Sequence, residues 1–217
     1  MVETASGLVL RTRPLTETSL IVHWISAGPG RLATVAKGAR RPKSPFFGKL
    51  DLFYLADFSF NRSRSSELHT LREVSVRETH SFLRQNVAYL QQAAYCVRLI
   101  EQTTETEAPL ASVFTLLLTL LTALAAQPPQ PQSIFGFELK LLGELGLKPE
   151  LSETDLTGGA RALIGHLEQA DWEGIARLRM NPGQSAEVSH FLQRFLMFHL
   201  GGVPKGRDAA LDYARAR

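Results

Sequence analysis

The hydrophobic period of the chain changes near residue 80, and this change constrains the fold more than any other feature. Before it, apolar residues occupy alternate positions, as in half-buried strands. After it, they recur every three or four positions, as in amphipathic helices. The composition, 44% hydrophobic and 21% charged, excludes disorder as the default state. The sequence therefore predicts an α+β protein with a strand domain over residues 1–79 and an all-α helical domain over residues 80–217.

Five short strands, separated by turn signals, are predicted in the first domain. They cover residues 7–12, 19–26, 31–37, 50–60 and 67–76. Five short strands favour a small barrel, and the oligonucleotide-binding (OB) barrel is one five-stranded solution. Its strand faces and loops bind single strands in the proteins that use it.

Proline and glycine breakers divide the second domain into six predicted helices. They cover residues 81–101, 110–126, 134–145, 161–169, 171–179 and 185–200. The helix over 110–126 is apolar almost all round, so we expect it to form the core of this domain. The proline-rich segment 127–132 is predicted to be a stiff connector, and Ser133 to cap the helix that follows it.

Positive charge is concentrated in one window of the predicted barrel, where no acidic residue occurs between Glu17 and Asp51. The cations of this window are Arg31, Lys37, Arg40, Arg41, Lys43 and Lys49. Pro42 and Pro45 exclude a regular helix or a central strand, so most of the charge lies on a turn and a stiff loop. Such a loop can present cations to a phosphate backbone. The alternative is a solvated, solubilising loop, but ordinary surfaces intersperse both signs of charge.

The rest of the chain does not repeat this excess of positive charge. Residues 1–80 carry twelve Lys or Arg against seven Asp or Glu, and the remainder carries twelve against fourteen. A basic front and a mildly acidic back are expected if one part of the chain meets nucleic acid directly. Phe46 and Phe47, beside these cations, are candidates for base stacking.

No pattern of catalytic or metal-binding residues is found. Cys96 is the one cysteine, which excludes internal disulfides and multi-cysteine metal sites. Asp51 and Asp57 are predicted to share a strand face about 20 Å apart, too far for one metal or an acid–base pair. The sequence contains no HExxH, GxSxG or P-loop motif. We therefore expect no enzyme activity and no cofactor. The N-terminus does not resemble a signal peptide, and no membrane span is predicted, so a cytoplasmic protein is expected.

Four segments resemble the RecO family of bacterial recombination mediators. They are RPLTETSLIV at 13–22, GRLATVAKGARRPKS at 30–44, FELKLLGELGLKPEL at 137–151 and LGGVPKGRDAAL at 200–211. The resemblance implies an OB barrel followed by a helical domain. Many family members bind a structural zinc through cysteine pairs, but residues 150–160 contain no cysteine, so zinc is not implied here.

The resemblance also implies a function and partners. Family members bind single- and double-stranded DNA, anneal complementary strands and, with RecR, help RecA displace single-strand-binding protein, which places them at the bacterial nucleoid. Within the basic window, the positions that match the family's basic segment are Arg31, Lys37, Arg40, Arg41 and Lys43, and Lys205 and Arg207 match a second basic turn. Phe137, Lys140 and Leu141 are candidates for binding the acidic, apolar tail of single-strand-binding protein, although Phe137 and Leu141 also have core spacing. The alternatives are an RNA-binding OB protein of translation or ribosome biogenesis, and an adaptor for acidic partners.

Overall fold

The computed structural model describes residues 1–152 and 154–212, so the predicted end of the helical domain at residue 217 lies outside the described residues. The chain divides into two compact units. The first contains Met1–His80 and the segment Thr104–Thr115, and the second contains Ser81–Thr103 and the chain from Leu116 onward. The segment Thr104–Thr115 thus belongs to the unit of the strands, although it follows the change of hydrophobic period.

Five strands form a closed barrel in the first unit. They are β1 (Val2–Pro14), β2 (Leu20–Ser26), β3 (Arg31–Ala36), β4 (Leu55–Asn61) and β5 (Leu68–Glu78). Their order around the barrel is β1-β2-β3-β5-β4, with β3 and β5 parallel and the other neighbours antiparallel. The predicted fold class, an OB-type barrel followed by helices, is confirmed.

β1 closes the barrel because it pairs with two strands. Residues from Val2 to Leu8 pair with β4, and residues from Gly7 to Pro14 pair with β2. A β-bulge lies between Val9 and Arg11. At Gly7, where the two pairings overlap, a Cβ atom would lie 2.8 Å from the carbonyl oxygen of Ile25. The close approach of three strands therefore requires glycine at this position.

Stacked rings fill the interior of the barrel. Trp24 stacks on Phe58 with centroids 4.2 Å apart, and its indole N–H donates to the Thr34 hydroxyl at 2.9 Å. Phe60 continues the stack between Phe58 and the ring of His69. The buried indole is thus both packed and hydrogen-bonded, and it belongs to the barrel core rather than to a binding surface.

The fourth strand is shorter than its alternating sequence predicts, because the chain reverses at Phe53. Phe53 has a φ of 64° and is buried, and its N–H donates to the Val9 carbonyl at 2.8 Å. β4 therefore begins only at Leu55. The prediction that Asp51 and Asp57 share one strand face is wrong, since Asp51 lies before this reversal.

Seven α-helices lie in the described part of the chain, after a 3₁₀ turn at Ser81–Arg84. They are α1 (Val87–Thr103), α2 (Ala111–Ala126), α3 (Pro131–Glu144), α4 (Gly158–Gln169), α5 (Trp172–Arg177), α6 (Pro182–Leu200) and α7 (Arg207–Leu211). Among the described residues, none of these helices has both the length and the apolarity needed to cross a bilayer.

The central helix of the second unit is α3, whereas the sequence favoured α2. Every residue of α3 from Pro131 to Leu139 is buried, and α3 packs on α1, α4, α5, α6 and α7. The helix begins at Pro131, so the prediction that Ser133 caps it is wrong. Proline suits the first helical position because its missing N–H would have no partner there.

Candidate nucleic-acid interface

The predicted basic loop folds as a run of tight turns between β3 and β4. Three successive backbone bonds of the i+3 to i type make its first part: Arg41 to Gly38, Ser44 to Arg41 and Phe47 to Ser44, all between 3.0 and 3.1 Å. This geometry accommodates Pro42 and Pro45, which a continuous helix would not. The turns place Lys37, Arg40, Arg41 and Lys43 in exposed positions at the barrel surface.

Two residues anchor this loop to the barrel. Phe46 points into the core, where it is 6% exposed and packs with Val9, Trp24 and other core residues. The other anchor is Arg40, whose backbone N–H donates to the Thr18 carbonyl at 3.0 Å and whose guanidinium donates to the Thr16 carbonyl at 3.1 Å. The cations are therefore carried by a loop with defined attachments, which reduces the conformational entropy that ligand binding must remove.

The two phenylalanines of the loop have opposite environments. The prediction that Phe46 stacks on bases is wrong, because its ring is part of the barrel core. Phe47 is 73% exposed, beside Lys49 and Lys43, so its ring is accessible to a base. Base stacking on Phe47 stays a prediction.

Arg31 and Lys49 are less exposed than the other cations of the window. The Arg31 guanidinium donates a hydrogen bond to the Thr104 carbonyl, so it ties the segment 104–110 to the barrel. Lys49 lies on a groove of about 700 Å³ between the loop and strands β1, β4 and β5. Arg72 also lines this groove, but so do Asp57 and Glu73. The groove therefore carries both positive and negative charges.

The segment 104–110 explains the Gly28-Pro29-Gly30 turn between β2 and β3. Gly30 has a φ of 69°, and a Cβ atom there would lie 1.8 Å from the Ala108 carbonyl oxygen. The Glu107 N–H donates to the Arg31 carbonyl at 2.8 Å, and the Leu110 N–H donates to the Ala27 carbonyl at 2.9 Å. Only glycine allows this approach, since any side chain would occupy the space of the segment.

The second predicted basic turn contains one exposed cation and one buried one. Lys205 is exposed, and its carbonyl accepts a hydrogen bond from the Arg98 guanidinium at 2.9 Å. Arg207 is 3% exposed and donates to both carboxylate oxygens of Glu138, at 2.7 and 2.9 Å. The prediction that Arg207 binds DNA is therefore wrong, because its guanidinium is already paired inside the second unit.

A buried polar network surrounds this ion pair. The Tyr95 hydroxyl donates to Glu138 Oε1 at 2.5 Å, and Arg207 also donates to the Ser189 hydroxyl at 3.1 Å. Burial raises the pKa of Tyr95, and the charge of Glu138 raises it further. Burial is the largest effect and would lower the pKa of Arg207, but the hydrogen bonds to Glu138, the charge of Glu138 and the contact with Tyr95 together outweigh it, and the pKa is raised. The Arg207 guanidinium therefore keeps its positive charge inside the second unit.

The residues predicted to bind a partner tail are mostly buried in α3. Phe137 is 0% exposed and Leu141 is 1% exposed, so the prediction that they bind a tail is wrong. Their i and i+4 spacing marks the core of the second unit instead. Lys140 is half-buried, and its ammonium donates to the Glu168 carbonyl at 2.9 Å and lies 6.0 Å from the Trp172 ring. Burial lowers the pKa of Lys140.

A different surface, with two exposed apolar side chains and one cation, lies on α6. We call it the α6 patch, and it consists of Met197, Phe198 and Arg194. Met197 is 56% exposed and Phe198 is 83% exposed. These three residues share a helix face because they stand at i, i+3 and i+4. They line a groove of about 820 Å³ with Glu187, whose carboxylate accepts hydrogen bonds from the backbone N–H and hydroxyl of Thr157.

Neither a thiol nucleophile nor a metal cluster is found in the described residues. Cys96 is buried in α1, and burial raises its pKa well above the ordinary value. Within residues 1–152 and 154–212, no group of three or more His, Cys, Asp and Glu side chains is placed to hold a metal ion.

Comparison with known proteins identifies both parts of the chain. The family model described as the recombination protein O N terminal matches residues 1–80, and the recombination protein O C terminal matches residues 84–158. The DNA repair protein RecO of Alkaliphilus metalliredigens is 28% identical over 91% of this chain and 93% of its own length. The RecO protein of an Anaeromyxobacter species is 31% identical over 82% of this chain and 66% of its own length. The RecO protein of Exiguobacterium sibiricum is 30% identical over 75% of this chain and 64% of its own length.

Proposed function

Because the chain belongs to the RecO family of DNA repair proteins, we propose that it is a noncatalytic recombination mediator that binds single- and double-stranded DNA. In this role it anneals complementary strands and, with RecR, helps RecA load onto DNA coated by single-strand-binding protein in the bacterial nucleoid. The observation that supports DNA binding most strongly is the anchored loop, whose Lys37, Arg40, Arg41 and Lys43 are exposed on the OB barrel.

The physical basis of binding is neutralisation of phosphate charge. Each cation that pairs with a phosphate releases counterions, and such pairs position the backbone without reading its sequence. The loop presents its cations on a surface that Arg40 and Phe46 hold in place. Annealing brings two negatively charged strands together, so a surface that lowers their repulsion favours the encounter.

The clearest test replaces Arg41 and Lys43 together with alanine. Both side chains are exposed, whereas Arg40 also holds the loop and its removal would affect the structure. We expect weaker binding of single strands and duplex alike. On duplex, the slope of log affinity against log salt should become shallower by about 0.9 for every phosphate that these side chains neutralise in the unsubstituted protein. The measurement is a salt titration by fluorescence anisotropy with labelled oligonucleotides.

A matched control replaces two exposed arginines of the second unit, Arg161 and Arg179, with alanine. It changes net charge by the same amount and is expected to leave the salt slope unchanged. If the loop variant and the control have the same affinity and slope as the unsubstituted protein, the loop does not bind DNA. Competition between matched RNA and single-stranded DNA separates the proposal from an RNA-binding role, since preference for RNA would contradict it.

We also propose that the α6 patch docks the acidic, apolar tail of single-strand-binding protein. Met197 and Phe198 expose more apolar surface than Phe137 and Leu141, which are buried. Arg194, three residues before Met197, supplies the cation that a carboxylate needs. Recognition of an apolar acidic peptide requires both kinds of group in one place.

A further inference from the structure

A second cluster of positive groups lies on the outer face of strands β1, β2 and β3. Arg11 stands directly opposite His23 in the pairing of β1 with β2, and Arg13 stands opposite Ile21. On the other side, His23 is opposite Ala33 of β3, and Arg31 is opposite Ile25. Because partners in register and residues two apart share a face, these four charged or titratable side chains lie on one surface.

His23 is the centre of this surface. It is half-buried, and its Nε2 atom is shielded from solvent and has no hydrogen-bond partner among the described residues. Burial lowers the pKa of His23 to about 4, and the charges of Arg11, Arg13 and Arg31 act in the same direction. The groups that act on the ring from both neighbouring strands are thus arginines. An anion bound beside this ring would offset the arginine charges that disfavour its protonated form.

We propose that this face binds a phosphate group of the DNA backbone between Arg11, Arg13 and His23, and that His23 takes up a proton when the phosphate binds. The inference rests on the proposed DNA-binding function and adds a subsite outside the basic loop. The same β-hairpin connects the two, since Arg13 lies at the end of β1 and the following turn holds Arg40 through the Thr16 carbonyl. A DNA strand bound at the loop can therefore continue along β1.

Proton uptake follows from electrostatics. In the free protein the ring is neutral above about pH 4, because a charged imidazolium would be desolvated and repelled by arginines. A bound phosphate beside the ring reverses the local field, so the pKa of His23 rises in the complex. DNA affinity should then increase as the pH falls below the raised pKa of His23 in the complex, by up to about tenfold per pH unit. The increase should stop when the pH reaches the pKa of His23 in the free protein, about 4.

The first experiment measures binding of a labelled oligothymidine by anisotropy between about pH 5 and pH 7.5. Thymine has no group that titrates in this range, so the pH dependence belongs to the protein. We expect affinity to rise on acidification for the unsubstituted protein, and this rise to be smaller for His23→Gln. His190→Gln, which replaces an exposed histidine of α6, serves as the matched control and should keep the full dependence. Arg13→Gln should weaken binding across the whole range.

The second experiment follows the His23 ring by NMR in the unsubstituted protein, so it does not depend on the folding of a variant. We expect oligothymidine to raise the pKa of His23. A rise with inorganic phosphate but none with oligothymidine would assign the site to a small anion and overturn the proposal. The proposal also fails if His23→Gln has the pH dependence of the unsubstituted protein. If the protein binds DNA through the loop and His23→Gln has the same pH dependence of affinity as the unsubstituted protein, only the proposed subsite is wrong. If the protein does not bind DNA at all, the proposed function is wrong too.

Discussion

Residues of the same type have opposite environments in this protein. Their burial or exposure can be predicted from the sequence only where it depends on residues nearby in the chain. Arg41 and Arg207 both lie in basic segments, but Arg41 is exposed and Arg207 is paired with Glu138, a residue of another helix. Phe46 and Phe47 are adjacent, yet one is in the core and the other is exposed. The exposure of Arg41 could be predicted from the neighbouring prolines and the acid-free surroundings. The burial of Arg207 could not, because it depends on a tertiary interaction.

The buried ion pair makes a prediction about stability. We expect Arg207→Ala to lower the free energy of unfolding by about 3–5 kcal/mol, because it leaves the Glu138 carboxylate buried without its cation. The double variant Arg207→Met/Glu138→Leu removes both charges and should recover a large part of this stability. Urea denaturation checks both.

The exposed pair of Arg177 and Glu173 on α5 is the matched control for this prediction. Its two side chains are 73% and 72% exposed, so Arg177→Ala should change stability little. Equal effects of the two arginine substitutions would contradict the idea that Arg207 has a structural role. DNA binding by a folded Arg207 variant, measured without urea, should match that of the unsubstituted protein, since the buried guanidinium does not reach the surface.

At the scale of elements, the hydrophobic period predicts whether a segment is a helix or a strand better than it predicts the residues at which the element begins and ends. The alternation over residues 50–60 is real, but Phe53 leaves the strand geometry and still buries its ring, so periodicity extends the strand too far. The helix predicted over residues 134–145 begins at Pro131, because proline is compatible with the first turn as well as with a connector. The turn at Gly28 to Gly30 is predictable from its residues, whereas the segment 104–110 that packs against it is not. That packing joins residues far apart in sequence.

This packing makes a prediction about Gly30. Gly30→Ala must adopt a positive φ and overlap the Ala108 carbonyl, so we expect a destabilisation of about 1–2 kcal/mol from the backbone and about 1–3 kcal/mol more from the overlap. Gly48→Ala is the matched control, because Gly48 has a φ of 70° but no atom within 4 Å of an added Cβ. Thermal unfolding of the two variants separates the two costs. Equal destabilisation would show that the segment 104–110 moves aside without cost.

At the scale of the whole molecule, the concentration of exposed positive charge on the barrel could be predicted from charge and period together. Residues 1–80 have a net charge of +5 and the remainder has −2, and the exposed cations of the loop are on the barrel. The exposed apolar residues of the α6 patch could not be predicted in the same way. Phe137 and Leu141 are apolar residues on a helix that also carries a lysine. Any core helix with one half-buried charge has the same sequence pattern. The exposure of Met197 and Phe198 arises only when α6 has packed its other face.

The proposed mediator function predicts that annealing of naked and coated strands can be separated by substitution. The unsubstituted protein should anneal complementary oligonucleotides whether or not single-strand-binding protein covers them. The Arg41→Ala/Lys43→Ala variant should be slower on both substrates, because each requires cations that neutralise phosphates. Phe198→Ser should retain annealing of naked strands and abolish annealing of coated strands, because it removes the aromatic ring of the α6 patch and leaves the barrel intact.

Val87→Ser is the matched control for Phe198→Ser, since Val87 is a 60% exposed apolar residue at the start of α1 in the same unit. It should anneal both substrates at the rate of the unsubstituted protein, as measured by quenching of a donor on one strand by an acceptor on the other. If Phe198→Ser anneals coated strands normally, the tail docks elsewhere. If the unsubstituted protein anneals naked strands but never coated ones, the mediator function is wrong while DNA binding stands. Binding of a tail peptide without any DNA binding at low salt would instead indicate an adaptor, because the basic loop would then have no phosphate backbone to neutralise.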